Sequence, residues 1–364
     1  MRTKRAHPIV QLRASSGWHE AGVGRKTLVM ALVGMNHPRH YAQQVDKIKA
    51  LAKLARGPDI ICDLSLARPG KEAPLWRVVI QESCAVAACL PVYSATPRKG
   101  RIDPAELLDI AIEQMEGGAG LLTIHPTPSE KIHHLATDRM VPCTSRGGGL
   151  IIADAEGRGW KEMSAYLKIL PDLTRHARHY GTALSLGAAY RSANIFDSCD
   201  AAQQAEIACQ IELAKEIDSQ GVGVIIESPG HARPRDIKKL ARLLRPAGFP
   251  VMPLGPIPTD TAIGMDHVSS AIGATLFGLE GCAQIIAAVT REEHTGRVPS
   301  LESTLEAVLS ARIAAHVVDL HLLGDDSEDY AVAQARALNN TCVVGRRAGG
   351  CSRCAQACPL SKRE

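Results

Sequence analysis

Three cysteines close together near the C-terminus carry the sharpest chemical signal in the chain. Cys351, Cys354 and Cys358 form C-x₂-C-x₃-C, followed at once by Pro359. This matches the last three cysteines of the bacterial ferredoxin run C-x₂-C-x₂-C-x₃-C-P. The position of that run's first cysteine is filled by Ala348. Three thiolates on a cubane leave one iron without a protein ligand, and an open iron can bind a substrate or cofactor. A zinc ion with a fourth ligand from elsewhere and a dehydratase-type open-iron cluster are the other readings of the same spacing.

Ser145-Arg146-Gly147-Gly148-Gly149 is a second candidate. Consecutive glycines expose backbone N–H groups and the arginine adds a fork of donors, which together suit a phosphate or carboxylate. An ordinary glycine-rich loop is the plainer reading. His231 and His294 each carry imidazole nitrogens able to ligate a divalent metal. The plainer reading there is a hydrogen-bonded structural histidine.

These residues need elements to position them. Apolar runs recur at 27–34, 59–65, 87–94, 119–126, 182–187, 221–228, 250–255 and 282–289. Most are continuous rather than alternating, the pattern of parallel strands buried on both faces. Helical spacing fills the intervals, as at 41–55, 104–116, 200–218 and 234–245, and again near 301–322 and 328–338. Strand alternating with helix predicts βαβ units. About eight such units predict an α/β fold of the closed (β/α)₈ TIM-like type, although 282–289 suits a helix equally. The expected organisation is an N-terminal extension over 1–25, a barrel over 26–300, a C-terminal helical region over 301–340 and a cysteine-rich iron–sulfur tail over 341–364.

A barrel of this type carries its site at the C-terminal ends of its strands. Asp63, Ser65, Tyr93, Thr123, His125, Glu227, His231, Thr259, Asp260, Asp266, His267, Glu292, Glu293 and His294 all fall on that rim. Each alone reads plainly as a cap; their shared placement argues for a site.

Composition narrows the classes. Apolar residues are 45% of the 364 and aromatics only 3%, so a large core is available and must be aliphatic. The net charge of +4 is spread along the chain, without the basic runs and stacking aromatics of nucleic-acid binders. No apolar run reaches membrane-spanning length. Met1 to Arg25 is basic and irregular with no secretory apolar region, a transit peptide being the alternative. Eleven cysteines, an odd number, argue against a disulfide framework and for a reducing, cytoplasmic setting.

Taken in order, these segments resemble the phosphomethylpyrimidine synthase (ThiC) family, an atypical radical S-adenosylmethionine (SAM) group with a barrel core and a cluster-bearing tail. The likeness runs through ICDLS (61–65), LPVYSA (90–95), LTIHP (122–126), TSRGGG (144–149), IIESPGH (225–231), PLGPIPTD (253–260), GMDHVSSAIGA (264–274) and VTREEH (289–294). The resemblance implies a radical SAM lyase that rearranges aminoimidazole ribotide into hydroxymethylpyrimidine phosphate for thiamine biosynthesis. It implies a [4Fe-4S] cluster on Cys351, Cys354 and Cys358, S-adenosylmethionine and a reducing electron donor. By matching position, Tyr93, His125, Ser145, Arg146, Gly147, Arg191 and Glu227 would contact the ribotide, Glu227 as acid/base or ribose anchor. His231 and His294 would bind a metal, usually described as zinc. A homodimer in which the partner supplies the tail is implied as well, with no nucleic-acid or membrane partner.

The departures are as informative. Where the family has a DGLR loop this chain has Ala188-Ala189-Tyr190-Arg191. Cys62 replaces a methionine, Met252 a tyrosine, and Leu32 or Val33 an asparagine. The cysteine motif is one residue shorter than the family's C-x₂-C-x₄-C and reverses the usual radical SAM order C-x₃-C-x₂-C. Two alternatives therefore stand beside the thiamine reading. One is a paralogous lyase on a related ribotide or nucleotide, as in hydroxybenzimidazole synthase. The other is a non-enzymatic nucleotide- or cluster-binding sensor.

Overall fold

The eight apolar runs become eight strands. The computed structural model describes residues 8–95, 100–345, 352–354 and 357–360. In chain order it contains β1 (Val10–Ala14), β2 (Gly17–Ala21), β3 (Leu28–Val33), α1 (Tyr41–Ala52), β4 (Ile60–Asp63), α2 (Leu75–Glu82), β5 (Val86–Cys89), α3 (Pro91–Ser94) and α4 (Pro104–Glu116). There follow β6 (Leu121–Ile124), α5 (Glu130–Ala136), α6 (Arg146–Gly157), α7 (Ala165–Tyr180), β7 (Ala183–Leu186), α8 (Ala201–Ser219), β8 (Val224–Glu227), α9 (Pro234–Leu244) and β9 (Val251–Met252). Last come α10 (Asp266–Leu279), β10 (Ile285–Ala287), α11 (Leu301–Leu323) and α12 (Ser327–Leu338). Helix starts are set by side chains: Asp103, Ser129, Ser145, Ser164 and Asp200 each accept a backbone N–H of the first turn.

Strands β3 to β10 form one parallel sheet in the order β10-β3-β4-β5-β6-β7-β8-β9. Thus 282–289 is a strand, held beside β3 by Ile285–Ala287. The seam between β9 and β10 is closed by one residue. Gln284 N donates to Val251 O at 2.9 Å, and Gln284 Oε1 accepts from Val251 N at 2.8 Å. On its other side Leu28 N donates to Gln284 O at 3.0 Å. A buried amide side chain therefore completes a ladder that β9, only two residues long, cannot complete alone. The run 87–94 splits, because Pro91 opens the short helix α3 instead of extending β5.

Alternate strand residues divide the core in two. Met30, Ile60, Cys62, Ala88, Ile225 and Met252 pack inside the barrel. Their neighbours, such as Val29, Ile61, Ala87 and Ile226, face the helices. Of the two candidates for the family's asparagine, Leu32 packs against the inner cluster and Val33 belongs to the outer one.

Within the N-terminal stretch, residues 10–21 are not irregular. Strands β1 and β2 form an antiparallel hairpin that sits at the N-terminal ends of the barrel strands and fills the bottom. Val10, Leu12 and Ala21 enter the inner core. A Cβ at Gly120, just before β6, would lie 2.0 Å from Arg13 O, and one at Gly223, just before β8, 2.8 Å from Val10 Cγ1. Arg13 Nη2 donates to Met115 O at 2.7 Å, and Ser15 and Ser16 hydroxyls donate to Ser83 and Cys84 carbonyls ahead of β5. The alternation Val10-x-Leu12 is a strand signal too short to stand out in a basic stretch.

The chain divides into two compact units, Met1–Val318 and Asp319–Glu364. The second contains α12, which buries no residue, and a hydrogen bond from Asn340 Nδ2 to Leu360 O at 2.8 Å. Among the described residues no single helix is long and apolar enough to cross a membrane.

The seam makes a direct prediction. Gln284→Met keeps the volume but strands the buried Val251 N–H, and should lower the unfolding free energy by about 1–3 kcal/mol in urea titrations.

Candidate active site

The C-terminal rim gathers Tyr93, His125, Ser145, Arg146, Gly147, Arg191 and Glu227 into one group. His125 follows β6 directly, and its Nε2 lies 3.1 Å from Ser145 Oγ. Ser145 is the N-cap of α6 and accepts from Gly148 N at 3.1 Å. The SRGGG run is therefore a helix start rather than a loop. Ser145 takes the N–H groups of Gly148 and Gly149, so it is the first N–H groups, of Arg146 and Gly147, and the positive dipole end that suit an anion. The imidazole of His125 is wedged between two glycines. A Cβ at Gly147 would come within 2.5 Å of the ring, and one at Gly187 within 2.4 Å. Gly147 is thus required by the ring, a reason distinct from phosphate contact. His125 is 1% exposed and its Nδ1 is buried with no partner. Burial first, then the nearby Arg191 charge, pulls its pKa down to about 3, so the ring is neutral.

Glu227, at the end of β8, faces the same space. Its Oε1 accepts from Arg191 Nη1 at 3.0 Å and its Oε2 from Ala188 N at 3.1 Å. Burial raises the carboxyl above its usual range, partly offset by Arg191 and the Ala188 N–H. Arg191 Nε is buried without a partner. Across the mouth the Arg146 guanidinium lies 5.6 Å from the centre of the Tyr93 ring. Burial raises the Tyr93 hydroxyl, opposed by the charges of Arg146 and Arg191. Among the described residues Arg146 has no hydrogen-bonding side-chain partner. The rim thus offers an unpaired guanidinium, a second one with a spare N–H, and a helix N-terminus around one carboxylate. That arrangement attracts an anion.

One support was missed in the sequence. Gln203, Glu206 and Gln210 lie on one face of α8, and all three are buried. Glu206 accepts from Thr127 Oγ1 at 2.6 Å and from Ala189 N and Tyr190 N at 2.7 Å each. Gln210 donates to Leu186 O and Glu227 O, and Gln203 to Pro229 O. This polar stripe ties down the backbone at the ends of β7 and β8 and, through the Thr127 hydroxyl, the segment after β6. Burial pushes Glu206 up to about 7 against those three donors. The available signal was polar residues at i, i+3 and i+7 where an apolar stripe is expected.

The two histidines also meet. His231 Nε2 and His294 Nε2 are 3.1 Å apart, with ring planes at 74°. Gly230 has φ +86, and a Cβ there would be 2.5 Å from Ser192 O, so the turn that presents His231 needs glycine. Burial lowers the His231 pKa, partly countered by Asp260. No group of three or more His, Cys, Asp or Glu side chains able to hold a metal ion occurs among the described residues. A pair fits a cation all the same, because each Nδ1 is engaged by a carboxylate at 2.6 Å and the two Nε2 atoms face one another.

The cysteine tail is described only in part. Cys351 lies outside the described residues, while Cys354 is exposed and Cys358 buried.

Comparison with known proteins agrees over most of the chain. The model of the Radical SAM ThiC family matches residues 8–343. The phosphomethylpyrimidine synthase of Carboxydothermus hydrogenoformans is 33% identical over 329 residues, spanning 86% of this chain and 75% of that protein. That of Methanopyrus kandleri is 31% identical over 314 residues, spanning 82% and 70%.

His125 gives a pH signature. Its folded pKa of about 3 lies below the ordinary 6.5. Between those values the unfolded chain holds the extra proton, so stability is lost as pH falls through that window. His125→Asn removes this loss. Its unfolding free energy should fall less steeply below about pH 6 than the parent's, by up to about 1.4 kcal/mol per pH unit. Equal slopes in urea titrations would contradict the assignment.

Proposed function

The chain belongs to the radical SAM ThiC family, and we propose that it is a lyase converting aminoimidazole ribotide to hydroxymethylpyrimidine phosphate in thiamine biosynthesis. The observation that carries this reading is the anion-receptive mouth, where Arg146 and the N-terminus of α6 stand beside His125, Arg191 and Glu227. Arg146 and the first-turn N–H groups receive the phosphate. Tyr93, Ser145 and Arg191 orient the sugar and base. Glu227, with a carboxyl raised by burial, anchors ribose or serves as the acid/base group. His125 is neutral and holds Ser145 at the start of α6 through its Nε2. The hairpin plug excludes water from below, as reactive intermediates require.

Three thiols at Cys351, Cys354 and Cys358 form a donor set that suits an open-iron [4Fe-4S] cluster. Such a cluster, reduced by an external electron donor, would supply one-electron cleavage of S-adenosylmethionine. His231 and His294 would hold a divalent metal, zinc by resemblance. A homodimer is supported by an exposed apolar face: Val268, Ile272 and Leu276 on α10 beside Leu309, Ile313 and Val317 on α11. These helices touch where a Cβ at Gly278 would come 2.2 Å from Val318 Cγ2.

The floor of the mouth favours a second reading. Met252 and Leu32 pack in the barrel interior where the resemblance implies a tyrosine and an asparagine, and Ala188 replaces an acid, so the base-binding wall is less polar than the resemblance implies. A related ribotide or nucleotide would suit that wall.

Anaerobic reconstituted protein distinguishes these readings. Ribotide-dependent formation of deoxyadenosine and the pyrimidine phosphate, absent in Cys354→Ala, is the expected result. Cleavage that ignores the ribotide would point to another nucleotide. No cleavage with any ribotide, despite a spectroscopically confirmed cluster, would favour a sensor. Separately, Ile272→Asp with Ile313→Asp should convert a dimer to a monomer in light scattering.

A further inference from the structure

We propose that Asp260 and Asp266 are positioning residues that fix His231 and His294 as a preset pair of Nε2 metal ligands. This rests on the reading above that the pair binds a divalent cation, and it adds what makes the pair ready. Asp260 Oδ1 lies 2.6 Å from His231 Nδ1, and Asp266 Oδ1 lies 2.6 Å from His294 Nδ1. An ionised carboxylate only accepts, so each Nδ1 carries the proton and donates it. Each Nε2 is then left with a lone pair. Two lone pairs face each other across 3.1 Å, an arrangement that a shared cation relieves.

The carboxylates are themselves held. Asp260 Oδ2 accepts from Ile195 N at 2.9 Å, and Asp266 Oδ2 accepts from Gly264 N at 3.1 Å. Both acids lie in the single segment between β9 and the first turn of α10, whereas the histidines come from the loops after β8 and β10. The His231 main chain is clamped from both sides: its N–H donates to Ser192 O at 3.0 Å, and its carbonyl accepts from the Ser192 hydroxyl. One segment without a ligand of its own therefore sets the tautomer and direction of both ligands. Outer carboxylates of this kind orient metal-bound imidazoles and strengthen binding.

The test is metal affinity, measured without turnover. Full-length protein carrying its cluster, so that the tail thiolates are occupied, is stripped of other metals and titrated with Co(II) against a chelator. His231→Ala and His294→Ala should each abolish the stoichiometric site. Asp260→Asn and Asp266→Asn should each weaken Co(II) binding about 10- to 100-fold. The more exposed Asp260 should do so with no change in the unfolding midpoint of the metal-free protein. It thereby keeps the test decisive if the buried Asp266→Asn does not fold. Parental affinity in Asp260→Asn, with binding lost in the histidine variants, would overturn the positioning role and leave the metal site standing. Undiminished binding in the histidine variants would overturn both.

Discussion

A carboxylate taken out of water must be given donors, and the upper half of this barrel is organised around two that were. Glu206 and Glu227 are both buried, and three successive backbone N–H groups serve them. Ala188 N points at Glu227, while Ala189 N and Tyr190 N point at Glu206. The carbonyl of Tyr190 is taken by Arg139, which is itself held bidentately by Asp200. The loop after β7 is thus fixed through its main chain. Leaving any one of these buried groups unpaired would cost about 1–3 kcal/mol. Arg191 emerges from that loop already aimed at Glu227. This is a physical reason why two alanines suffice at 188 and 189: the loop's shape does not depend on their side chains.

Much of this was legible in the residues. Continuous apolar runs gave the strands, and their count gave the barrel, because parallel strands buried on both faces leave a one-dimensional trace. His231 and His294 stood out as polar residues just past strands, and the structure does bring them within 3.1 Å. Three features could not be read. The hairpin β1–β2 is two strands of five residues whose burial depends on strands far along the chain. The slot that holds His125 between Gly147 and Gly187 unites three segments distant in sequence. Gln203, Glu206 and Gln210 carry no local mark of their partners, since only the folded loops show what they bind. The failures share a cause: each is a contact between distant segments, whereas periodicity is local.

The mouth also shows how neutral and charged groups are kept in role. His125 sits where burial and Arg191 both disfavour its protonation. Arg146 is exposed at the start of α6, and its guanidinium lies over the Tyr93 ring. Among the described residues Arg146, at the entrance, has no counter-charge, and the pair Arg191–Glu227 lies deeper.

The plug at the barrel's base has a consequence in time. Val10, Leu12 and Ala21 leave the ribosome well before the residues, as late as Ile225, Met252 and Ile285, that line the cavity they fill. At ~5–20 residues per second, about 10–40 s of synthesis separates the hairpin from Ile225 alone. For that interval the hairpin has no partner surface, and an isolated two-stranded ribbon is marginal in water. The nascent chain must therefore carry its stopper unseated until the vessel is nearly complete, so that a chain stalled before β8 leaves the hairpin's apolar residues exposed.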